Sequence, residues 1–240
     1  MNAAILSDGR IGGIPTISFI VPVYNEKKTI LSVLDVLSRF PTAHEIIVVD
    51  DGSCDGTREI LSSTARPNLL ILFHEKNAGK GTAVRTGVEY ARGRYVAIQD
   101  ADLEYDPMEY VELLRLATAE NKSAVFGSRF LRKNPAIYWR YLMGNKLMTF
   151  WINLLTGAGL TDSYTCFKLL TRDLFASLGL TSNGFEMEAE ICVKVARRGV
   201  PIHEIPIHYK PRLIEEGKKI KAKDAVKGAI AAFRIRFKGQ

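Results

Sequence analysis

The apolar positions of this chain switch repeatedly between two periods. Ile17–Val23 is a β-branched run carrying Pro22 near its end, and behind it Ile30, Leu31, Leu34 and Leu37 recur at helical spacing, which predicts a strand followed by a helix over Thr29–Phe40. Glu45–Val49 is a second such run and stops on Asp50-Asp51-Gly52-Ser53; Ser53 or Asp55 is placed to cap a helix over Thr57–Thr64. Leu69–Phe73 is a third, followed by the loop Glu75–Gly81 and a helix over Thr82–Ala91. Tyr95–Ile98 is a fourth, running into Gln99-Asp100-Ala101-Asp102, and Pro107 suits the first position of a helix toward Ala119. Ser123–Gly127 completes five. Beyond it the alternation weakens: a helical stretch over Ala136–Leu155, a short strand near Cys166–Leu170, a helix over Phe185–Arg197, a strand within Pro201–Tyr209 and a last helix over Asp224–Phe237. Continuous apolar strands alternating with helices predict an α/β fold, a single domain with a mainly parallel sheet covered by helices on both faces. The divisions expected are an extension over 1–16, the domain over 17–220 and a basic amphipathic helix over 221–240.

Composition adds one correction to that picture. The 240 residues carry a net charge of +7, which on its face points to an acidic partner for the whole protein. Residues 1–209, however, hold 23 Lys+Arg against 23 Asp+Glu, and residues 210–240 hold ten against three, so the excess is a basic tail on a neutral body. A nucleic-acid-binding module would spread positive charge over a face or groove, and the neutral body counts against it. The three cysteines are far apart and lack metal-type spacing, which argues against a disulfide framework or a zinc knuckle. No signal-like apolar core opens the chain, and Tyr141–Leu160 is interrupted by Gly144, Asn145, Lys146, Asn153 and Gly157, too often for a spanning helix. The expected setting is cytoplasmic, with contact at a membrane's cytoplasmic face an open possibility.

Candidate chemistry gathers at the strand ends. In a doubly wound sheet, ligands bind beyond the carboxyl ends of the strands at the switch point. Tyr24-Asn25-Glu26, Asp50-Asp51-Gly52-Ser53 and Gln99-Asp100-Ala101-Asp102 all fall there. Turn and cap chemistry explains any one of them alone; it does not require three to converge on one edge. Asp100 and Asp102, separated by Ala101, point to one side by strand alternation, with Glu104 two further on. Oxygen-only ligands suit Mg²⁺ or Mn²⁺, and Mg²⁺ commonly binds through one or two carboxylates plus substrate phosphates. Asn77–Thr82 is no P-loop, because His74 and Gly81 occupy positions where that motif needs Gly and Ser or Thr. Gly79 and Gly81 still allow Lys80 and the backbone to approach a ligand or a neighbouring loop.

These stretches, in their order, resemble the inverting family-2 glycosyltransferases of the dolichol-phosphate mannosyltransferase-like group. Pro22–Glu26, Asp50–Ser53, Asn77–Thr82, Asp100–Pro107, Gly127–Arg129, Asp162–Lys168, Gly184–Glu188, Pro206–Tyr209 and Glu216–Ile220 carry the likeness, over about residues 17–220. It implies a GT-A fold and a nucleotide-diphosphate sugar donor of the GDP-mannose or UDP-glucose type. By the same likeness Pro22, Tyr24, Glu26 and one or both of Asp50 and Asp51 look like the nucleoside pocket. Asp100, Asp102 and Glu104 look like the metal and diphosphate site, with Ala101 and Lys80 beside it. Arg129 and Arg140 match positions that hold the acceptor's phosphate, and Arg212, Lys218 and Lys219 lie where the donor diphosphate or a closing loop is held. A polyprenyl phosphate acceptor is already ionised near neutral pH and needs no base. A sugar or small-molecule hydroxyl would need one, and Glu186, Glu188 or Asp162 are the candidates; each has a structural alternative, Glu188 and Glu190 by pairing with Lys194.

Two further expectations concern surfaces. His203 and His208 are expected to be structural, and Trp139, Phe150 and Trp151 to pack in the core, with bordering an acceptor groove as the alternative. In the last helix Lys223, Lys227, Arg234 and Lys238 adjoin an apolar stripe of Val226, Ile230, Phe233 and Phe237, which fits either a packed helix with a solvated side or an interfacial helix on anionic lipid.

Overall fold

The computed structural model describes residues 14–135, 139–212 and 222–237, apart from the side chains of 140, 222 and 223. Seven strands form one sheet: β1 (Ile17–Val23), β2 (His44–Asp50), β3 (Leu69–Phe73), β4 (Tyr95–Ile98), β5 (Ala124–Ser128), β6 (Lys168–Thr171) and β7 (His203–Pro206). Their spatial order is β3-β2-β1-β4-β6-β5-β7. All neighbours pair in parallel except at β6, which is antiparallel to both β4 and β5. The mainly parallel α/β architecture expected from the apolar runs is present.

Helices α1 (Ile30–Leu37), α2 (Thr57–Ser62) and α4 (Tyr110–Ala119) bury their apolar stripes on one face of the sheet, in a cluster with Phe19, Val21, Ile46 and Val48. On the other face α3 (Lys80–Tyr90), α5 (Trp139–Thr156), α7 (Met187–Arg197) and α8 (Ala222–Phe237) meet Ile20, Ile47, Val49 and Val96. Successive strand residues thus feed opposite layers, as the pleat requires. Pro107 opens a 3₁₀ turn rather than α4 itself, with the Asp106 carboxylate accepting from the Met108 amide at 2.9 Å. Asp55 accepts from the Thr57 amide at 3.0 Å, although the residue that caps α2 is Gly56. The short helix α6 (Arg172–Ser177) has no counterpart in the periodic pattern.

Two strand directions decide what reaches the functional edge. The order reverses between β1 and β4, so the segments after Val23 and Ile98 lie side by side there. Because β6 is antiparallel, its start faces that edge, and the segment Asp162–Phe167 arrives beside the ends of its neighbours. At the far side of that wall Tyr164 reaches the backbone of Gly228 in α8, with its hydroxyl where a side chain at 228 would stand.

Trp139 and Phe150 are 67% and 64% exposed, against the expectation of core packing. The physical reason lies in α5, which is apolar nearly all round but buries only the side carrying Met148, Thr149 and Ile152. Trp151 fits the expectation better, being partly buried and donating to the Ala229 carbonyl at 3.2 Å.

Candidate active site

A cavity of about 390 Å³ opens at the switch point, bounded by the segments after β1, β4 and β7, the start of α3, the approach to β6 and one side of α5. Pro22, Tyr24, Glu26, Asp51, Lys80, Asp100, Ala101, Asp102, Glu104, Arg129 and Arg212 all border it, so eleven of the residues singled out from the sequence converge on one space. Asp50 does not border it. That side chain is fully buried below the Ser53 turn, near the Arg58 guanidinium at 3.5 Å, and burial pushes its carboxyl up. The side chain of Arg140, together with Lys218 and Lys219, lies outside the described residues.

Asp51 shapes one wall. Its carboxylate accepts from the Ala78 amide at 2.9 Å and the Gly79 amide at 2.7 Å, and His74 Nδ1 stands 2.6 Å away. Gly79, at φ +97°, has no room for a side chain, because the Asn183 carbonyl lies against it. Gly81 donates to that same carbonyl at 2.7 Å. The glycines therefore serve a neighbouring loop, and this close approach delivers Lys80 into the cavity.

Lys80 Nζ lies 2.7 Å from Asp100 Oδ1 and 3.1 Å from Glu188 Oε1. Burial works against its charge, but Asp100 and then Glu188 outweigh it and hold the ammonium well above its usual range. Glu188 in turn meets the fully buried Lys168 at 2.5 Å. Glu188 is thus shared by two lysines, neither of them the Lys194 expected; Glu190 takes Lys194, at 2.7 Å. Sequence reasoning placed Lys168 in a stretch that carries the likeness but gave it no partner, because it sits in a strand with no charged neighbour along the chain.

At the opposite wall Arg129 forms a two-pronged pair with Asp162, Nε at 2.6 Å and Nη2 at 2.8 Å, while its amide donates to the same carboxylate at 3.1 Å. Arg212 ties two segments together: its guanidinium donates to both Glu26 oxygens at 3.1 and 2.8 Å, its Nε to the Asp102 carbonyl and its amide to Glu104 Oε1, each at 2.7 Å. Tyr209 donates to Glu104 Oε2 at 3.0 Å; burial and then the Glu104 charge push its phenol far up, so it stays protonated. Burial, first, also drives the cavity thiol of Cys166 well up. Of the two histidines, His208 is engaged by Glu109 at 2.5 Å at the surface.

The chemistry of the donor set tests whether a divalent cation fits. Burial pushes the Asp102 carboxyl up to about 7, with Asp100 and then Glu104 adding like-charge repulsion. A hard cation between the Asp pair relieves that repulsion and is matched by oxygen ligands alone. Glu104, however, is turned to Tyr209 and the Arg212 amide, and no group of three ligand-type side chains is present among the described residues. Of the three expected ligands, Asp100 and Asp102 are the carboxylates whose chemistry fits such a cation, with Lys80 beside Asp100.

Comparison with known proteins adds the family. Residues 18–179 match the model described as "Glycosyl transferase family 2". The chain is 32% identical to glycosyltransferase AglJ of Haloferax volcanii over 82% of its own length and 63% of that protein's, and 30% identical to a dolichyl-phosphate beta-glucosyltransferase of Trichomonas vaginalis over 91% and 72%. It spans only 48% of a third relative, the low-salt glycan biosynthesis hexosyltransferase Agl6 of Haloferax volcanii. Among solved structures, glucosyl-3-phosphoglycerate synthase of Mycobacterium tuberculosis superposes with a TM-score of 0.71 at 21% identity, covering 92% of this chain and 80% of that one. The same enzyme with Mn²⁺, uridine diphosphate and phosphoglyceric acid superposes at 0.69 with 22% identity, covering 92% and 78%. The fold is therefore of the GT-A type, and the chain belongs to glycosyl transferase family 2.

Proposed function

We propose that this cavity transfers a hexose from a nucleoside-diphosphate sugar to a polyprenyl phosphate, with a divalent cation and with inversion at the anomeric carbon. One observation carries the choice of acceptor. The carboxylates available as a general base near the acceptor wall are already committed: Asp162 to the Arg129 fork, Glu188 to Lys80 and Lys168, and Glu186 to the Gly184 amide at 3.0 Å. A hydroxyl acceptor needs a base, whereas a phosphate monoester is ionised near neutral pH, its second pKa being about 6. Likeness to a dolichyl-phosphate beta-glucosyltransferase supports the same acceptor class.

The residues divide the work by position. Tyr24 and Pro22 floor the side where the nucleoside is expected, with Glu26 held in place by Arg212. Asp100 and Asp102 would hold Mg²⁺ or Mn²⁺, which supplies charge neutralisation for the leaving diphosphate. Lys80 brings a second, fully charged group to the same end. Arg129, kept in orientation by Asp162, borders the cavity on the side assigned to the acceptor phosphate. An acceptor oxygen forms the new bond to the anomeric carbon as the bond to the diphosphate breaks, and the electron pair leaves with the diphosphate. No proton has to be removed, so catalysis consists of orientation and electrostatics.

A donor screen tests this: GDP-mannose, UDP-glucose and UDP-N-acetylglucosamine, each with and without a short-chain polyprenyl phosphate and with and without EDTA. The expected product is a polyprenyl phosphohexose of inverted configuration, formed only without EDTA. Transfer to sugar hydroxyls with none to polyprenyl phosphate refutes the acceptor assignment.

A further inference from the structure

Among the described residues, the side of α5 that does not border the cavity exposes a continuous run of large apolar side chains. Trp139, Met143, Leu147, Phe150 and Leu154 follow one another along a single line of the helix, and all are exposed, Leu147 to 68%. Helix α8 packs directly beside α5, and Trp151 stacks on Phe233 at 6.4 Å between ring centres. Val226, Ile230, Phe233 and Phe237 continue the exposed stripe along α8. Two adjoining helices thus present one apolar face carrying aromatic side chains, far more than scattered surface apolar residues produce.

The charges around this face identify its partner. Residues 139–156 contain Arg140 and Lys146 and no carboxylate; residues 222–237 contain four basic residues against Asp224 alone. Lys227 and Arg234 lie on the flank of α8 next to its apolar stripe, and both they and Lys146 are exposed. An apolar face of aromatic and aliphatic side chains bordered by lysine and arginine complements an anionic lipid surface, where the apolar face enters the headgroup boundary and the cations meet the lipid phosphates. A partner subunit meeting the same face would have to bring carboxylates to those positions, and a second copy of this chain brings the same basic rim instead.

The cavity is placed to match. Tyr141 and Asn145 on the inner side of α5 border it, so one helix forms both its wall and the apolar surface. We propose that the α5–α8 face rests on an anionic bilayer and sets the cavity mouth beside the headgroups, where a polyprenyl phosphate presents its phosphate. The purpose rests on the acceptor reading above; the binding itself does not. No helix among the described residues is long and apolar enough to cross a membrane, so the contact argued here is with one surface only.

The test is co-sedimentation of the whole chain with phosphatidylcholine vesicles, with and without phosphatidylglycerol, in the absence of donor and acceptor. Wild type is expected to bind the anionic vesicles and to be released as salt is raised. Leu147→Ser/Phe150→Ser is expected to weaken binding by about tenfold or more through lost apolar burial. Lys227→Gln/Arg234→Gln is expected to abolish the preference for phosphatidylglycerol. Equal binding by wild type and Leu147→Ser/Phe150→Ser, or no binding by wild type, overturns the proposal. So does a wild-type dimer that the same serine pair dissolves, which gives the face to a second copy. Turnover separates the two readings. The serine pair is expected to keep activity on a short, water-soluble polyprenyl phosphate and to lose it on a long-chain one in vesicles. Wild type that binds vesicles yet uses neither acceptor refutes the acceptor reading and leaves the surface standing.

Discussion

The two walls of the cavity are built by different means. On the β1–β2–β4 side each functional group follows directly on a parallel strand, and local turns hold it: Asp51 by amides of the adjoining loop, Asp102 by the Glu104 amide at 3.0 Å. On the β5–β6–β7 side the groups come from distant parts of the chain and hold one another as buried ion pairs, Arg129 with Asp162 and Glu188 with Lys168. The first wall pairs its charges across the cavity, Lys80 with Asp100 and Arg212 with Glu26, whereas the second neutralises its charges within the protein interior before any ligand arrives. Substitutions should therefore damage turnover on the first wall and folding on the second.

The sharpest test of that contrast is Asp102→Asn. It removes a carboxylate that burial and two like charges already oppose, so the folded chain should lose no stability in thermal melts while turnover falls by about 10³-fold or more. Unchanged turnover would remove Asp102 from the site. Asp162→Asn should do the reverse first: leaving the Arg129 guanidinium buried and unpaired should cost about 3–5 kcal/mol in urea unfolding. Arg129→Met/Asp162→Leu should recover most of that loss while leaving transfer to the acceptor impaired. A double variant as unstable as Asp162→Asn would show that the wall depends on more than this pair.

Gly79→Ala lies between the two walls. Its left-handed backbone and the Asn183 carbonyl against it predict a loss of about 1–3 kcal/mol together with weaker donor binding, since the shift displaces Lys80. Stability and donor affinity measured on one variant should move together, and movement of either alone breaks the link drawn from that contact. At the small end stands the exposed pair Arg115–Glu112 on α4, where Arg115→Ala should change stability by less than about 0.5 kcal/mol.

How far the sequence revealed the site follows the same division. The first wall was legible because its residues are neighbours along the chain: a strand pattern ends and Asp100, Ala101 and Asp102 begin. The second was only partly so. Arg129 and Asp162 were both noticed, but no spacing shows that they join, because β6 brings Asp162 back against the direction of its neighbours. Lys168 and Tyr164 fall in the Asp162–Lys168 stretch that carries the likeness, but nothing in their spacing names the partner of either. The outer side of α5 was misjudged for a related reason. A helix apolar nearly all round reads as buried, and the helix pattern alone does not say which side the rest of the chain leaves uncovered.

Tyr164 and Gly228 carry a consequence for how this chain can change over time. The tyrosine hydroxyl occupies the space where any side chain at 228 would stand. The two positions are therefore not free to vary in either order. A larger residue at 228 is admissible only after Tyr164 has given way, and while glycine remains, the tyrosine is sheltered from that competition. Such a pair is coupled by geometry: a side chain at 228 requires the end of Tyr164 to move, so the order in which the two positions change matters.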